Sequence, residues 1–524
     1  MTQRYQHIVI GGGHNGLVCA TYLARHGGAV LVLEAAGQVG GAAVTREFSP
    51  GFKVSAGAHL LNALPADLHR ELDLARHGLR FAAQALPTYA LDASRAPVIL
   101  STGTVKGVDA KDVTAFAAFS ERMARFADVV NHLSDQAPFR LSFETWRERL
   151  DGLRLAWKIR ALGKDSMREL LRIAGMNAYD LLTESFDSPR LQGALGLDAT
   201  LGAEHGARSP GTVLTLLHRW AGQARAGALG LAQPAGGMGA VTQAMARAAG
   251  EAGVQIRTDA RVQSILVQED RACGVRLESG ETIRAGSIVS NADPKTTFLK
   301  LLGARYLDTD FVRRIDHLRA RGLVAKMHLA LDGPPPFRGI DPAGLGGRLL
   351  VSPDLEYLEL AFNPSKYHEI PADPVLEITV PSVADPSLAP AGKHVMSINV
   401  MFVPYDLGRD PAAARRQLSH SVLTTLERHA PGIVQRVAAV ELLTPSDLER
   451  EFGMAGGHWH HCALSLDQFF FTRPAPGAAR YSTPVPGLYL CGAGSHPGGG
   501  VSGIAGRNAA LAVIQGEKAH ARDQ

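Results

Sequence analysis

Three glycines and one glutamate near the start of the sequence have the spacing of a phosphate-binding turn. Gly11, Gly13 and Gly16 form a G-x-G-x-x-G pattern, and Glu34 lies 23 residues after the first glycine. The first glycine permits a tight turn, the second lets backbone N–H groups approach a pyrophosphate, and the third lets a helix pack close to a strand. A carboxylate at this distance accepts hydrogen bonds from ribose hydroxyls. Together the four residues predict a site for a dinucleotide.

The segments around these residues are of the types that such a site requires. Residues 7–10 form a short apolar run typical of a buried strand, and residues 17–25 form an apolar helical stretch. A second strand run at 29–33 ends directly before Glu34. This order of strand, helix, strand and acid is that of a Rossmann-type α/β fold. A glycine-rich turn without a ligand is the alternative, but it gives no reason for Glu34.

A second glycine pair indicates which dinucleotide is bound. Gly40 and Gly41 follow the acid, and the segment 51–59 (GFKVSAGAH) comes soon after. In these segments the sequence resembles the FAD-dependent amine oxidase and phytoene desaturase superfamily, in which such a pair lies along the flavin pyrophosphate. The resemblance implies FAD as the cofactor and a Rossmann-type FAD-binding domain. Ala42 stands where the superfamily usually has an arginine, so backbone donors would have to hold the phosphate there.

The segment 487–503 (GLYLCGAGSHPGGGVSG) supports the same interpretation independently. It resembles the closing flavin motif of carotenoid desaturases, although Ala493 replaces an aspartate found in many relatives. The run 456–468 adds a likeness to one subgroup of the phytoene desaturase-like branch, the pyridine nucleotide-disulfide oxidoreductase domain-containing proteins. The resemblance implies FAD contacts from Gly11, Gly13, His14, Asn15, Gly16, Glu34, Ala35, Gly40, Gly41, Ala42, Val262, Asn291, Gly492, Gly500 and Val501.

Three histidines are the candidates for chemistry beside the flavin ring. His59 ends the segment 51–59, His461 ends the run HWHH at 458–461, and His496 lies in the closing motif. Imidazole is suited to carry a proton near neutral pH or to anchor a polar group. The alternative is that these histidines are satisfied by backbone groups. We expect no metal site, because the spacing is not a helical i,i+4 pair and no carboxylates adjoin the cluster.

The rest of the sequence predicts an FAD-binding domain in three pieces, with an α+β substrate domain inserted in two. The FAD-binding pieces are 1–105, 234–303 and 475–524. The inserted pieces are 106–233, which has mostly helical patterns, and 304–474. Short alternating runs in the second insertion predict an antiparallel sheet, and they lie at 323–331, 356–362, 375–380 and 395–402.

One predicted helix, at 146–160, has an unusual distribution of side chains. Trp146, Leu150, Leu153 and Trp157 lie at helical spacing on one face, and cations occupy much of the remainder. Such a helix can lie on a membrane surface or form a substrate entrance. The favoured interpretation is a cap helix whose apolar face points inward.

Composition limits the class of protein. Apolar residues make up 46% and charged residues 20%, which are globular values. The net charge of +4 is too small to suggest nucleic acid as a partner. The sequence shows no targeting segment and no uninterrupted apolar run of membrane-spanning length, so we expect a soluble, cytoplasmic protein, with peripheral membrane contact and oligomeric state left open.

These observations predict an FAD-dependent oxidoreductase that removes hydride from a C–H bond of a largely apolar small molecule. The acceptor would be oxygen or a quinone, since no nicotinamide site is visible. A flavin amine oxidase would need an aromatic pair beside the ring, for which Trp459 and Tyr489 are the candidates. A redox-neutral flavin isomerase also keeps the fold. An alternative of another class is a flavin-bound interaction protein without turnover, which Ala42 and Ala493 keep open.

Overall fold

The computed structural model describes residues 5–138 and 146–523, and within them the chain forms nineteen strands and fourteen α-helices. The strands are β1 (Tyr5–Ile10), β2 (Val30–Leu33), β3 (Thr45–Ser49), β4 (Phe52–Ser55), β5 (Phe81–Ala83), β6 (Thr88–Ala90), β7 (Val98–Ser101), β8 (Thr104–Lys106), β9 (Gln233–Pro234), β10 (Gln255–Arg257), β11 (Val262–Gln268), β12 (Arg271–Leu277), β13 (Thr282–Ser290), β14 (Val324–Leu331), β15 (Arg348–Val351), β16 (Leu376–Thr379), β17 (His394–Met401), β18 (Val437–Leu443) and β19 (Leu488–Leu490). The helices are α1 (His14–Arg25), α2 (Ala66–Glu71), α3 (Ala110–Ser134), α4 (Trp146–Ala161), α5 (Lys164–Ile173), α6 (Ala178–Ser185), α7 (Pro189–Thr200), α8 (Thr212–Ala226), α9 (Gly239–Glu251), α10 (Thr309–Asp316), α11 (Leu355–Phe362), α12 (Pro411–His429), α13 (Pro445–Phe452) and α14 (Ile504–Asp523).

The first sheet joins strands that are distant in sequence. Its parallel part has the order β10-β2-β1-β13-β19, and β12 and β11 extend it from β13 in antiparallel pairing. The four residues of β2 are apolar and buried, as expected for a parallel strand covered on both faces. Helices α1, α9 and α14 cover one face, and α10 with the segment 296–302 covers the other. The Rossmann-type FAD-binding fold predicted from the sequence is confirmed.

The second sheet has eight strands in the order β18-β14-β17-β16-β15-β6-β7-β8, and all neighbours are antiparallel except β15 and β6. Met327 and Leu329 of β14 pack with α12 on one face. Lys326 and His328 alternate with them and therefore point to the opposite face. The strands at 88–106 belong to this sheet, so the predicted domain boundary at residue 105 falls within β8 and leaves β6 and β7 on the FAD-binding side. As a division into domains, the three-piece arrangement stays a prediction.

The helical region packs on the second sheet, with which it shares an apolar core. Side chains from α3, α6, α7, α8 and α11 form it, and Phe119, Phe126, Leu197 and Leu216 are among its buried members. The predicted mostly helical character of 106–233 is therefore observed in the described residues from α3 to α8, while residues 139–145 lie outside them. The C-terminal turn of α3 and one side of α8 reach the cavity described below.

One predicted strand is wrong. The run 356–362 was expected to join the antiparallel sheet, but it lies in α11. Asp354 caps this helix, and its side chain accepts a hydrogen bond of 2.7 Å from the backbone N–H of Tyr357. The alternating pattern of the run also fits a helix whose buried face includes Leu355, Leu358 and Phe362.

The predicted orientation of the helix at 146–160 is also wrong. In α4 the apolar face was expected to point inward, but Trp146, Leu153 and Trp157 are exposed, while Glu148 is buried. No helix in residues 5–138 and 146–523 is long and apolar enough to cross a bilayer.

Candidate active site

A cavity of about 650 Å³ is lined by residues of both sheets and of α3 and α8. Most residues predicted from the sequence line it, namely Gly11, Gly13, His14, Asn15, Glu34, Ala35, Gly40, Gly41, Ala42, His59, Val262, Asn291, His461, Gly500 and Val501. Gly16, Gly492 and His496 are absent from the lining. The cavity therefore unites the opening and closing motifs in one site.

The turn between β1 and α1 places backbone donors at one wall. Gly11 has a φ of +95°, a conformation that favours glycine. A Cβ on Gly16 would lie 2.1 Å from the carbonyl oxygen of Gly11, so this glycine lets α1 begin close to β1 without itself lining the cavity. The first N–H groups of α1 have no acceptor within the helix and carry the positive end of its dipole. This wall suits a phosphate group.

The carboxylate of Glu34 is held in place by two backbone donors. The N–H of Gly12 donates to Oε2 at 2.7 Å, and the N–H of Ala36 donates to Oε1 at 2.9 Å. Each oxygen retains a further lone pair. The side chain is thus positioned at the cavity wall with acceptor capacity for the hydroxyls of a ribose.

The second glycine pair lies directly against the first motif. The N–H of Gly40 donates to the carbonyl of Gly12 at 2.9 Å, and Gly40 forms a parallel bridge with Gly13. Ala42 packs with Leu448 and Met454. Position 42 therefore contributes an apolar contact where the superfamily usually has a cation.

The closing motif reaches the first one through close helix and loop packing. A Cβ on Gly506 would lie 2.1 Å from the carbonyl oxygen of Asn15, so α14 crosses the start of α1 at this glycine. A Cβ on Gly492 would lie 2.5 Å from the carbonyl oxygen of Asn291. Gly492 therefore lets the loop after β19 approach β13 and is a packing position rather than a lining one.

A buried arginine holds two of the cavity loops together. Arg473 is fully buried and donates to the carbonyls of His460 at 2.5 Å, Ala463 at 3.0 Å and Ala493 at 2.8 Å. Its Nε also donates to the carbonyl of Ser495 at 3.2 Å. One guanidinium thereby fixes the loop that carries the histidine cluster against the closing motif.

A chain of polar contacts runs from the second sheet to the cavity. Lys326 Nζ lies 2.5 Å from His59 Nδ1 and 3.1 Å from Asn399 Oδ1. Asn399 Nδ2 donates to Glu377 at 2.7 Å, and Arg348 Nε donates to the same carboxylate at 2.5 Å. His59, Asn399 and Glu377 line the cavity.

This series of polar contacts ends in a second ion pair, between Arg348 and Asp198. Arg348 also donates to Asp198 Oδ1 at 2.6 Å, and Arg219 Nε lies 2.9 Å from the same oxygen. Asp198 and Arg219 line the cavity as well. Two carboxylates and two guanidinium groups thus balance one another in the wall formed by α7, α8, β15 and β16.

Burial shifts the pKa values of the residues in this series of polar contacts. It lowers the pKa of Lys326 to about 7, although the charge of Glu377 acts to raise it. Burial, and then the adjacent Lys326, lower the pKa of His59 well below its usual value. Burial alone would raise the pKa of Glu377, but Arg348 and other nearby cations lower it below its usual range. His59 is therefore a neutral imidazole, and Lys326 titrates near neutral pH.

The remaining predicted histidines lie in different places. His461 lines the cavity, and burial lowers its pKa, opposed by the charge of Asp293. His496 lies outside the lining, and its Nε2 is 2.9 Å from the carbonyl of Leu133. Its predicted role beside the ring stays a prediction, to which the cavity lining adds no support. Among residues 5–138 and 146–523, no three His, Cys, Asp or Glu side chains are grouped as a metal site.

Residues 16–514 match the model of the family described as flavin containing amine oxidoreductase. The chain belongs to this family. It is an FAD-dependent oxidoreductase.

Individual relatives agree with this membership. The chain is 35% identical to pyridine nucleotide-disulfide oxidoreductase domain-containing protein 2 of Rattus norvegicus, over 98% of this chain and 93% of that protein. It is 30% identical to phytoene desaturase (neurosporene-forming) of Cereibacter sphaeroides, over 55% of this chain and 54% of that protein. The solved structure of putrescine oxidase bound to putrescine has a TM-score of 0.59 at 15% identity, over 98% of this chain and 100% of that one.

The flavoenzyme cavity has the properties that FAD requires. Backbone donors at the start of α1 face the region suited to the pyrophosphate, and Glu34 is fixed for the ribose. Buried polar atoms at the wall have no partner within the described residues, among them His14 Nε2, Asn15 Oδ1 and His59 Nε2. A ligand with polar groups along its length can satisfy such atoms. The residues present therefore fit FAD.

The sequence patterns do not reveal the polar contacts that begin at Lys326 or the role of the buried Arg473. Lys326 gave one usable signal, since it is the only charged residue in the apolar run 323–331. A lysine in such a run is either exposed at a sheet edge or buried beside a polar partner. Asp198, Glu377 and Arg473 belong to no motif, because their partners lie far away in sequence.

Proposed function

We propose that this flavoenzyme removes hydride from a C–H bond of a largely apolar small molecule, forming a C=C or C=N bond, with oxygen or a quinone as the final electron acceptor. Bound FAD supplies the ring that accepts the hydride. The observation that carries the proposal is that the dinucleotide turn and the pair His59–Lys326 line or adjoin one continuous cavity. The phytoene desaturase relative, whose name denotes desaturation of a hydrocarbon, supports this class of reaction.

The apolar part of the wall supports an apolar substrate. Leu201, Ala221, Trp459 and Leu464 line the cavity on the side of the helical region. These side chains exclude water and contact hydrocarbon without hydrogen-bonding groups. The charged groups on this side of the cavity are Asp198, Glu377, Arg219 and Arg348. They pair with one another, so together they carry no net charge that would attract an ionic ligand.

His59 is suited to take the proton that must leave when a C–H bond loses hydride and a double bond forms. Its Nε2 can accept a proton only when Nδ1 carries the ring hydrogen. Protonated Lys326 donates to Nδ1 and prevents this tautomer. Neutral Lys326 can accept from Nδ1–H and leaves the Nε2 lone pair open to the cavity. Because the Lys326 pKa is about 7, the basic form of His59 gains population as pH rises through neutrality.

A flavin amine oxidase is the second candidate. The likeness to putrescine oxidase supports it at the level of fold. Of the two aromatic residues expected beside the ring, Trp459 lines the cavity, whereas Tyr489 packs with the core under α14. The aromatic pair is therefore incomplete, which favours the desaturase type of reaction.

Anaerobic mixing of the holoenzyme with candidate substrates tests the proposal. We expect bleaching of the flavin absorbance band with unsaturated hydrocarbons such as terpenes and carotenoid precursors, and none with putrescine or other aliphatic amines. His59→Gln should retain the bound flavin but slow bleaching by about 10²-fold or more, the usual contribution of a general base. His496→Gln is the matched control, since this histidine lies outside the cavity, and it should reduce at the wild-type rate.

Other results would contradict the proposal in distinct ways. Bleaching by amines alone would assign an amine oxidase. Product formation without bleaching or oxygen uptake would assign a redox-neutral isomerase. A flavin that no candidate reduces, in a protein that nevertheless binds FAD tightly, would favour an interaction protein without turnover.

A further inference from the structure

Helix α4 presents its apolar stripe to solvent and its polar side to the protein. Trp146, Leu150, Leu153 and Trp157 are exposed by 66, 39, 64 and 74% of their surfaces. These positions are spaced i, i+4, i+7 and i+11, so they form one continuous stripe on the helix. Globular proteins usually place such a stripe in the core, and its exposure marks an interaction surface.

The inner side of α4 is held in place by polar contacts. Glu148 is buried and pairs with Arg480 at 3.3 Å. Lys158 pairs with Asp128 of α3 at 3.1 Å. Rotating the helix to bury the stripe would break both pairs and expose the side that now docks on α3. The outward stripe is thus fixed by the fold.

The charges around the stripe favour an anionic partner. Residues 146–173, which span α4 and α5, contain eight lysines and arginines and four acids. Arg154 and Arg160 are exposed beside the stripe. Anionic lipid surfaces attract such clusters by about 1 kcal/mol, or about fivefold in affinity, for each cation near the surface.

We propose that α4 is an interfacial helix that docks the protein on a membrane surface containing anionic lipids. Tryptophan favours the boundary between lipid headgroups and acyl chains, and leucine enters the hydrocarbon. A 16-residue helix is about 24 Å long and lies in the plane of the interface. A second copy of this chain fits less well, since a symmetric contact would bring two cationic surfaces together.

The docked surface is close to the cavity. The outer side of α3 carries Asp128, which pairs with α4, and its C-terminal turn carries Asn131 and Ser134, which line the cavity. One helix therefore separates the membrane-facing surface from the site described above. The inference itself rests on α4 alone and does not depend on the reaction proposed for that site.

Sedimentation of the full-length holoprotein with vesicles tests the inference. We expect binding to vesicles of phosphatidylcholine mixed with phosphatidylglycerol, and much weaker binding to phosphatidylcholine alone. The double variant Leu153→Gln, Trp157→Gln should bind the mixed vesicles at least about tenfold more weakly, because two apolar side chains no longer enter the bilayer. Arg154→Gln, Arg160→Gln should weaken binding by about fivefold for each charge and reduce its salt dependence.

A matched control uses apolar residues exposed elsewhere. Leu360→Gln, Tyr367→Gln changes two side chains that are exposed by 63 and 73% and lie outside α4, and it should bind vesicles like the wild type. Unchanged flavin content in all variants excludes misfolding. The inference is overturned if the wild type binds neither vesicle, or if the α4 variant binds as well as the wild type. It is equally overturned if gel filtration shows a dimer that the α4 variant converts to a monomer.

Discussion

Lys326 is a cationic side chain in a place where burial favours its neutral form. It lies on the inner face of β14, 99% of its surface is removed from solvent, and its contacts are His59 Nδ1 and Asn399 Oδ1. Neither contact carries a negative charge, and the charge of nearby Glu377 offsets only part of the effect of burial. The protein therefore accepts a cost in stability to keep an amine beside the imidazole.

This cost predicts how stability depends on pH. The pKa of Lys326 is about 7 in the folded protein and 10.5 without burial, so the unfolded chain binds more protons between these values. The free energy of unfolding should thus gain about 1.4 kcal/mol per pH unit from this residue as pH rises from 7 toward 10. Urea titrations of wild type and Lys326→Met at several pH values should differ by this slope. Lys106→Met, which changes an exposed lysine of β8, should keep the wild-type slope.

The contact proposed between Glu34 and the ribose of FAD can be tested by one substitution. In Glu34→Gln the amide can accept from only one of the two backbone donors and loses its charge. We expect FAD to bind the apoprotein about ten- to a hundredfold more weakly, as for the loss of a charge-assisted hydrogen bond. Titration of the apoprotein with FAD, followed by flavin fluorescence, gives the dissociation constant. An unchanged constant would contradict the assignment, and Glu121→Gln, on the exposed side of α3, is the control.

At the scale of elements, the contact between α1 and α14 closes the site. Gly506 lies where the two helices cross, and a Cβ there would meet the backbone oxygen of Asn15 at 2.1 Å. The two helices can approach this closely only because one of them lacks a side chain at the crossing. The start of α1, with its backbone donors, is held in position by this approach.

Gly506→Ala should therefore push the two helices apart. We expect a loss of about 1–3 kcal/mol in the free energy of unfolding, as for other overpacked sites, together with weaker FAD binding. Gly250→Ala in α9 is the matched control, because a Cβ there would meet no atom within 4 Å. The control should be neutral or more stable by up to about 1 kcal/mol. Equal denaturation midpoints for both variants would show that the crossing is not tight.

The elements also show where sequence patterns suffice and where they fail. β1, α1 and β2 were predictable because the glycines, the apolar runs and Glu34 all indicate the same local structure. The run 356–362 was ambiguous, since a short apolar pattern fits a strand or a helix and only the cap at Asp354 decides. The direction of the α4 stripe depends on pairs with Asp128 and Arg480, which no local pattern reveals.

At the scale of the whole molecule, a buried ion network connects the helical region to the second sheet. Arg348 on β15 bonds both Asp198 of α7 and Glu377 of β16. Arg348→Met would leave buried Glu377 and half-buried Asp198 with Arg219 as their remaining guanidinium partner. We expect a loss of about 3–5 kcal/mol in the free energy of unfolding, measured by urea denaturation. Arg276→Met, on the exposed side of β12, should change it by less than about 0.5 kcal/mol.

The network also explains which part of the site the sequence could not predict. Sequence motifs identify residues whose role depends on the conformation of the local backbone, such as Gly13 and Gly40. Asp198, Glu377 and Lys326 gain their roles from partners on other elements, up to 267 residues away in the case of Lys326 and His59. Their pairing follows from the tertiary structure, and only the isolated lysine in an apolar run indicated it in advance.

The pairing of β13 with β19 has a consequence for how a cell makes the loaded protein. Ser290 pairs with Leu490, which leaves the ribosome 200 residues later. At about 5–20 residues per second, the nascent chain spends roughly 10–40 s with this edge of β13 open. The unpaired edge spans only the three residues that later bond to β19, and such a short edge limits pairing with other chains. The closing motif that follows β19 lines the cavity, so the flavin pocket is incomplete during that interval. FAD can bind to the complete site only after β19 has been made.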